Sequence, residues 1–227
     1  MKHITLSLLI TCLSFLKLFA QVDGNYNNTI SLTGFSIVQL PKLFNQTTKN
    51  YTNTYFNGGM ARFNENQLGY RISGSYLSQR LKFPGDCENC DITDGQIKDY
   101  AFKLGFEKNF NYAIVQPYFA LDLGYRYNQF TGLMQTVNNQ KIASQPSFAQ
   151  STKDGFTVSP VVGLRINFLD QFSFYAEGSP QFFYSTIREE LTGQELNAVK
   201  TVNKYNKGEF LLNPVSIGVQ FHLSSKN

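Results

Sequence analysis

The sequence predicts an all-β protein in which eight antiparallel strands close into an up-and-down barrel, and three observations lead to that prediction. Apolar residues recur at every second position in several segments, as they do on one face of a strand. The connections between these segments alternate between short and long along the chain. The chain also opens with an export signal, so the apolar faces could meet either a soluble core or lipid.

The first element, residues 1–20, is predicted to be a secretory signal peptide. A positively charged start precedes a short apolar stretch, and Ala20 provides the expected cleavage site. The stretch is shorter than the ~18 apolar residues typical of a spanning helix. Its removal takes away Lys2 and Lys17 but no acid, so the mature chain is close to neutral and no nucleic-acid partner is predicted. Residues 21–227 are expected to form a single domain.

Eight strands are predicted in the mature chain. The clearest is the last, in which Val215, Ile217 and Val219 alternate with small or polar residues. In the fourth to seventh strands the apolar face carries no charge, whereas the opposite face does. Asn57 and Gly59 weaken the apolar face of the second. The expected spans are 29–40, 53–63, 68–80, 97–108, 114–128, 154–168, 171–185 and 209–223.

The connections between these strands alternate strictly between long and short. Because alternate connections of a meander lie at the same end, all the long ones are expected together. Bacterial outer-membrane barrels have short turns on one side and long loops on the other, so the pattern favours a transmembrane barrel. The long connections are 41–52, 81–96, 129–153 and 186–208.

Aromatic residues near the strand ends agree with a barrel that spans a bilayer, because aromatic girdles mark the membrane interfaces. About 9–11 tilted residues suffice for a strand to cross the hydrocarbon core. Periodicity alone does not show whether the apolar faces point inward or outward. The aromatic residues concerned are Tyr125, Tyr127, Phe168, Phe172, Phe182 and Tyr184.

On these features the mature chain resembles the small eight-stranded outer-membrane β-barrel family, which includes the OmpA barrel domain and OmpX and is often grouped with the porin family. Family members typically end on an aromatic residue, whereas here Leu223 and four further residues follow Phe221. The resemblance implies a bacterial outer-membrane location and insertion by the outer-membrane assembly machinery. It also implies a monomer without catalytic residues, acting in envelope integrity, adhesion or ligand contact through four long loops.

The lumen of such a barrel is only wide enough for side chains to fill. Phe56, Tyr118, Tyr175 and Phe183 are expected to occupy part of it. Buried charges there must pair, and Lys103 is expected to pair with Asp122. A network of this kind would plug the lumen, and a selective pore is the alternative. The charged residues predicted to face the lumen are Arg71, Lys103, Glu107, Asp122, Arg126, Arg165 and Glu177.

Two motifs contain residues that could carry out chemistry. Cys87 and Cys90 lie in a long loop of an exported chain, so a loop disulfide is expected, with a redox role as the alternative. His222 and Ser224 resemble part of a catalytic pair, but catalysis would also need an orienting carboxylate and an oxyanion hole. No phosphate loop or metal motif is present in the sequence, so neither a cofactor nor a metal is predicted.

Two other functions remain open from the sequence: a soluble lipocalin-like barrel that binds an apolar ligand, and an outer-membrane enzyme acting on lipid. Outer-membrane lipids are expected partners, and lysines of the long loops are candidates for contact with lipopolysaccharide phosphates. These lysines are Lys42, Lys49, Lys82, Lys141, Lys153, Lys200 and Lys204.

Overall fold

The computed structural model describes residues 26–44, 51–65, 67–83, 91–136, 145–193 and 200–225. Eight antiparallel strands pair in sequence order, and the last pairs with the first to close a barrel. The predicted up-and-down eight-stranded barrel is therefore confirmed. The strands are β1 (Tyr26–Gln39), β2 (Tyr51–Glu65), β3 (Leu68–Phe83), β4 (Asp91–Asn109), β5 (Val115–Thr136), β6 (Ser147–Leu169), β7 (Phe172–Thr192) and β8 (Lys200–Ser225). Within the described ranges, no helix has the length and hydropathy needed to cross a bilayer.

The short connections β2–β3, β4–β5 and β6–β7 lie together at one end of the barrel, here called the short-turn end. Backbone hydrogen bonds link neighbouring elements there. The Asn109 N–H donates to the Gln67 carbonyl at 2.9 Å, and the His222 N–H donates to the Gln171 carbonyl at 2.8 Å. The long connections leave from the opposite end, here called the long-loop end.

At the long-loop end the strands run further than predicted. β4 begins at Asp91 and β6 at Ser147, so part of each predicted loop is paired strand. The outer side of these extensions is largely polar, with Gln96 and Gln150 as examples. They therefore lack the apolar alternation by which the other strands were recognised, and backbone pairing with their neighbours defines them instead.

The outer face of the barrel carries an apolar band. Phe102 is 53% and Val162 66% exposed, although both are large and apolar. Tyr76, Tyr100 and Tyr127 edge the band towards the long-loop end, with ring centroids 4.8 and 6.3 Å apart along the row. A soluble barrel has the opposite distribution, with its apolar side chains inside. The outward faces of this barrel are suited to hydrocarbon.

A bulge in β2 interrupts this regular alternation. Phe56 and Asn57 together oppose the single residue Gly34 of β1, and Phe56 has a left-handed backbone with φ 48°. A bulge shifts the alternation of side chains on its strand. Phe56 is consequently 85% exposed, and the prediction that it fills the lumen is wrong.

Apolar side chains fill the lumen at the long-loop end. Leu40, predicted as the end of the first strand, and residues 41–44, predicted as the start of a loop, pack against the inner faces of the strands. The Phe44 N–H donates to Glu189 Oε1 at 3.1 Å and anchors this segment to β7. We call the buried group the apolar cap; its members are Leu40, Leu43, Ile97, Phe130 and Ala149.

Candidate functional site: the lumen charge cluster

In the half of the lumen nearer the short turns, six charged side chains meet, one from each of strands β2 to β7. Each lies between two positions that face outward, most of them apolar, so the period of the strand directs it inward. None of the six side chains is more than 12% exposed. We call this group the charge cluster; it comprises Arg62, Arg71, Glu107, Asp122, Arg165 and Glu177.

Glycines on the inner wall make room for these large side chains. A Cβ atom added to Gly105 would lie 2.1 Å from Asp122 Oδ1. A Cβ atom added to Gly163 would lie 2.2 Å from Cζ of Tyr118. Neither distance is compatible with a side chain in this arrangement, so both positions favour glycine because of close approach rather than backbone conformation.

Arg62 lies at the centre of the cluster and is fully buried. Its Nε lies 3.0 Å from Glu107 Oε2, and its Nη2 donates to Glu177 Oε1 at 2.9 Å. Its Nη1 donates to Gln220 on β8 and to Ser31 Oγ on β1, the latter at 3.3 Å. One guanidinium therefore links four strands across the lumen.

Arg71 forms a two-point contact with Asp122. Its Nε donates to Oδ1 at 2.7 Å, and its Nη2 donates to Oδ2 at 2.6 Å. Its Nη1 donates to Glu177 Oε1 at 2.9 Å. Because the planar fork of arginine matches a carboxylate, this geometry gives strong charge-assisted hydrogen bonds.

Tyr118 and Arg165 complete the cluster. Arg165 Nη2 donates to Glu107 Oε1 at 2.6 Å, and its guanidinium carbon lies 4.9 Å from the Tyr118 ring centroid. Tyr118 Oη donates to Glu177 Oε1 at 2.7 Å. Three arginines and three carboxylates therefore compensate one another, which a buried group of charges requires.

Two further ion pairs lie nearer the long-loop end. Arg126 Nε donates to Asp99 Oδ2 at 2.9 Å, and Asn128 Nδ2 donates to the same oxygen at 2.7 Å. Lys153 Nζ lies 3.2 Å from Glu209 Oε2, with both side chains buried. The lumen therefore contains separate compensated groups rather than one continuous network.

The residues predicted for the lumen differ in what they contact. Arg126 pairs outside the charge cluster, and Lys103 forms no ion pair within the described part of the chain. The expected Lys103–Asp122 pair is not formed, because Arg71 engages both Asp122 oxygens. Lys103 lies opposite Gly124 in the ladder rather than opposite Asp122. Tyr118, Tyr175 and Phe183 are buried in the lumen as predicted.

Sequence reasoning missed several charged lumen residues. The bulge obscured the β2 pattern, although the alternation around Arg62 could have identified it. Asp99 shares a face with Lys103 inside the predicted strand and could also have been found. The others lie at or beyond the edges of the predicted strands, and Lys153 in particular faces the lumen rather than lipopolysaccharide. The missed residues are Arg62, Asp99, Lys153, Glu189 and Glu209.

Of the two motifs that could carry out chemistry, only the one containing His222 lies within the described residues. Cys87 and Cys90 lie outside the described residues, so their disulfide stays a prediction. His222 Nε2 lies 2.7 Å from Ser173 Oγ on β7, near the short turns. Ser224 pairs with Asn28 in the β1–β8 ladder. Among the described residues, no group of three or more potential ligands is arranged to hold a metal ion.

Comparison with known proteins finds similarity in structure only. No protein-family model matches the sequence, and no curated protein matches it. The outer membrane protein OprG from Pseudomonas aeruginosa is 12% identical with a TM-score of 0.55, and the match covers 88% of this chain and 98% of OprG.

Two further outer-membrane structures also match. The attachment invasion locus protein Ail of Yersinia pestis is 18% identical (TM-score 0.39), with 87% of this chain and 99% of Ail covered. A major outer membrane protein from Thermus thermophilus is 11% identical (TM-score 0.48), with 86% and 98% covered. The chain has the fold of the small eight-stranded outer-membrane β-barrels.

Proposed function

We propose that this protein is an integral outer-membrane barrel with a non-enzymatic role, in which side chains close the lumen and the strand extensions form the contact surface. The observation that carries the proposal is the distribution of side chains, apolar outside and charged inside. Such a distribution is stable in a bilayer, where the outer face meets hydrocarbon and the inner charges pair. The predicted export signal and the fold shared with OprG support an outer-membrane location.

Placement of the apolar band in a bilayer is tested at Leu121, which pairs with Phe106 of β4 and Pro160 of β6. Leu121→Arg should lower the free energy of unfolding in lipid vesicles by about 2–4 kcal/mol, because a charge would then face hydrocarbon. Gln129→Arg, on the same face of β5 beyond the tyrosine row, should cost at most about 1 kcal/mol. Equal losses at the two positions, or recovery of the native protein from cells without detergent, would contradict the proposal.

Closure of the lumen is supported from both ends. The charge cluster crosses the lumen near the short turns, and the apolar cap fills it at the long-loop end. An eight-stranded barrel leaves little space beyond its own side chains. We therefore expect no sustained, porin-sized conductance from the purified protein in planar bilayers. Steady large channels from homogeneous protein would exclude a closed lumen.

The outer face beyond the apolar band supports contact with lipopolysaccharide phosphates. Arg188 of β7 and Lys204 of β8 lie directly opposite each other on the outer face. Counting only outward-facing pairs, theirs is the second pair after that of Tyr184 with Gly208, towards the long-loop end. Like charges in opposite positions repel, so an anionic partner would stabilise them. Glu190 binds two of the three cations here: Arg188 Nη2 lies 2.6 Å from Glu190 Oε1, and Lys200 Nζ lies 2.8 Å from Oε2. One carboxylate therefore faces Arg188, Lys200 and Lys204, and an excess of positive charge remains for an anionic partner.

The other lysines of the predicted long loops are less well placed for this contact. Lys42 and Lys82 are exposed at the long-loop end, whereas Lys49 and Lys141 lie outside the described residues. The pair Arg188 and Lys204 is therefore the best-defined basic contact for a phosphate.

Binding of lipopolysaccharide to the purified barrel in micelles tests this contact. The double variant Arg188→Gln, Lys204→Gln should bind roughly thirty-fold more weakly, at about 1 kcal/mol for each charge. Lys108→Gln is the matched control, because Lys108 is exposed at the short-turn end. Unchanged binding by the double variant, or an equal loss in the control, would refute this contact.

A further inference from the structure

The lumen contains a polar cavity between the charge cluster and the apolar cap. Its volume is about 130 Å³, and a smaller cavity of about 50 Å³ shares part of its lining. Lys103, Asn57 and Asn213 line both cavities. A buried water molecule needs roughly 10–15 Å³, so the larger cavity has room for a small solute with part of its hydration.

Lys103 brings to this cavity a positive charge that forms no ion pair with a carboxylate of the described residues. The acid with the strongest electrostatic influence on Lys103 is Asp122, whose two oxygens both accept hydrogen bonds from Arg71. On the other side, both oxygens of Asp99 already accept hydrogen bonds from Arg126. Both acids are therefore already engaged by an arginine.

The count of charges around the cavity also leaves Lys103 without a counter-charge. The charge cluster is neutral by itself, and so is the pair of Arg126 with Asp99. Lys103 is then the uncompensated charge among the described groups that surround the cavity. An isolated charge in such a position is costly unless a counter-ion or a hydrogen-bonding solute accompanies it.

Hydroxyl groups complete a set of donors around this charge. Four serines from β3, β7 and β8 line the cavity. A serine hydroxyl donates one hydrogen bond, and a lysine ammonium donates three. These serines are Ser73, Ser75, Ser179 and Ser216.

We propose that this cavity binds one small monovalent anion, such as chloride or another halide, between the Lys103 ammonium and the serine hydroxyls. The anion neutralises Lys103 without disturbing the ion pairs on either side. The site is distinct from the basic contact of Arg188 and Lys204, because it lies inside the barrel wall.

The site is tested by unfolding the purified barrel in micelles, at equal ionic strength, with sodium chloride or with sodium gluconate, whose anion is much larger than chloride. At a chloride concentration about four times the dissociation constant, the equilibrium constant for folding should increase about fivefold. This increase corresponds to a rise of roughly 2–4 °C in the midpoint of thermal unfolding. Lys103→Met should abolish this shift, and Lys98→Met, on the outer face of the same strand, should retain it.

Crystals grown in bromide provide a second measurement that does not depend on the stability of a variant. We expect an anomalous peak beside Lys103 Nζ in the native protein. Absence of that peak, equal midpoints in chloride and gluconate, or a chloride shift that survives in Lys103→Met would each overturn the site. Should Lys103→Met fail to fold, Lys103→Gln keeps a polar group in the cavity and carries the same expectation.

Discussion

The two ends of the lumen are both filled by side chains, but with opposite chemistry. Near the short turns, six buried charges form hydrogen-bonded ion pairs that cross the lumen from β2 to β7. At the long-loop end, the apolar cap packs Leu40 and Leu43 against the inner faces of the strands. The charge cluster depends on every partner being present, whereas the cap depends on volume and apolar area.

Because of this difference, substitutions at the two ends of the lumen should destabilise the protein in different ways. Removing one member of a buried ion-pair network leaves another charge without a partner in a medium of low dielectric constant. Removing part of an apolar side chain leaves a cavity, into which a short connecting segment such as 40–44 can partly collapse. Substitutions at the two ends of the lumen test this contrast.

The largest loss is expected from Arg62→Met. This change removes a partner from both Glu107 and Glu177, which lie in the buried cluster. We expect the free energy of unfolding to fall by about 3–5 kcal/mol, measured by urea titration in lipid vesicles. A loss below about 1 kcal/mol would mean that water or another cation replaces the guanidinium.

A compensating variant separates charge imbalance from the loss of packing. Glu177→Gln added to Arg62→Met restores equal numbers of positive and negative groups in the cluster. The double variant should therefore be more stable than Arg62→Met alone. Simple addition of the two single losses would contradict the interpretation that the cluster is stabilised through charge compensation.

A smaller loss is expected from Leu43→Ala in the apolar cap. Leu43 is fully buried, so the truncation should cost about 2 kcal/mol, the lower end of the usual range, because residues 40–44 can settle into the cavity. The same urea titration measures it. Lys42→Ala, at the exposed neighbouring position, is the control and should change stability by less than about 0.5 kcal/mol.

The smallest effect is the coupling between the two ends. Leu43 and Arg62 share no partner among the described contacts, so their losses should add to within about 0.5 kcal/mol in the double variant. A larger coupling energy, of either sign, would show that the cap and the charge cluster form one cooperative unit. The contrast between the two ends would then no longer hold.

The fold was predictable because its pattern is local. Residues Val215–Phe221 alternate along one strand, and the three short turns are visible as breaks between alternating segments. Each feature depends only on neighbouring residues and on the period of two that any strand imposes. The extensions at the long-loop end were missed because their outer residues, such as Arg188, face water and carry no apolar signal.

The partners within the lumen were not predictable in the same way. Lys103 and Asp122 lie on neighbouring strands and share a face, which made them reasonable partners from the sequence. Arg71 reaches Asp122 instead, past Gly105, and its planar fork matches both carboxylate oxygens. Which basic side chain binds a given carboxylate depends on the length and orientation of side chains that meet across the lumen, and the sequence pattern does not contain this information.

The number and order of the strands, their antiparallel pairing and the charged character of one face follow from the sequence alone. They do so because side-chain period and turn composition act over a few residues. Only the tertiary structure decided that the charged face points inward, that Phe56 leaves the lumen at a bulge and that residues 40–44 return to fill it. These outcomes depend on closure of the sheet, which brings distant residues into one narrow space and leaves Lys103 beside a cavity.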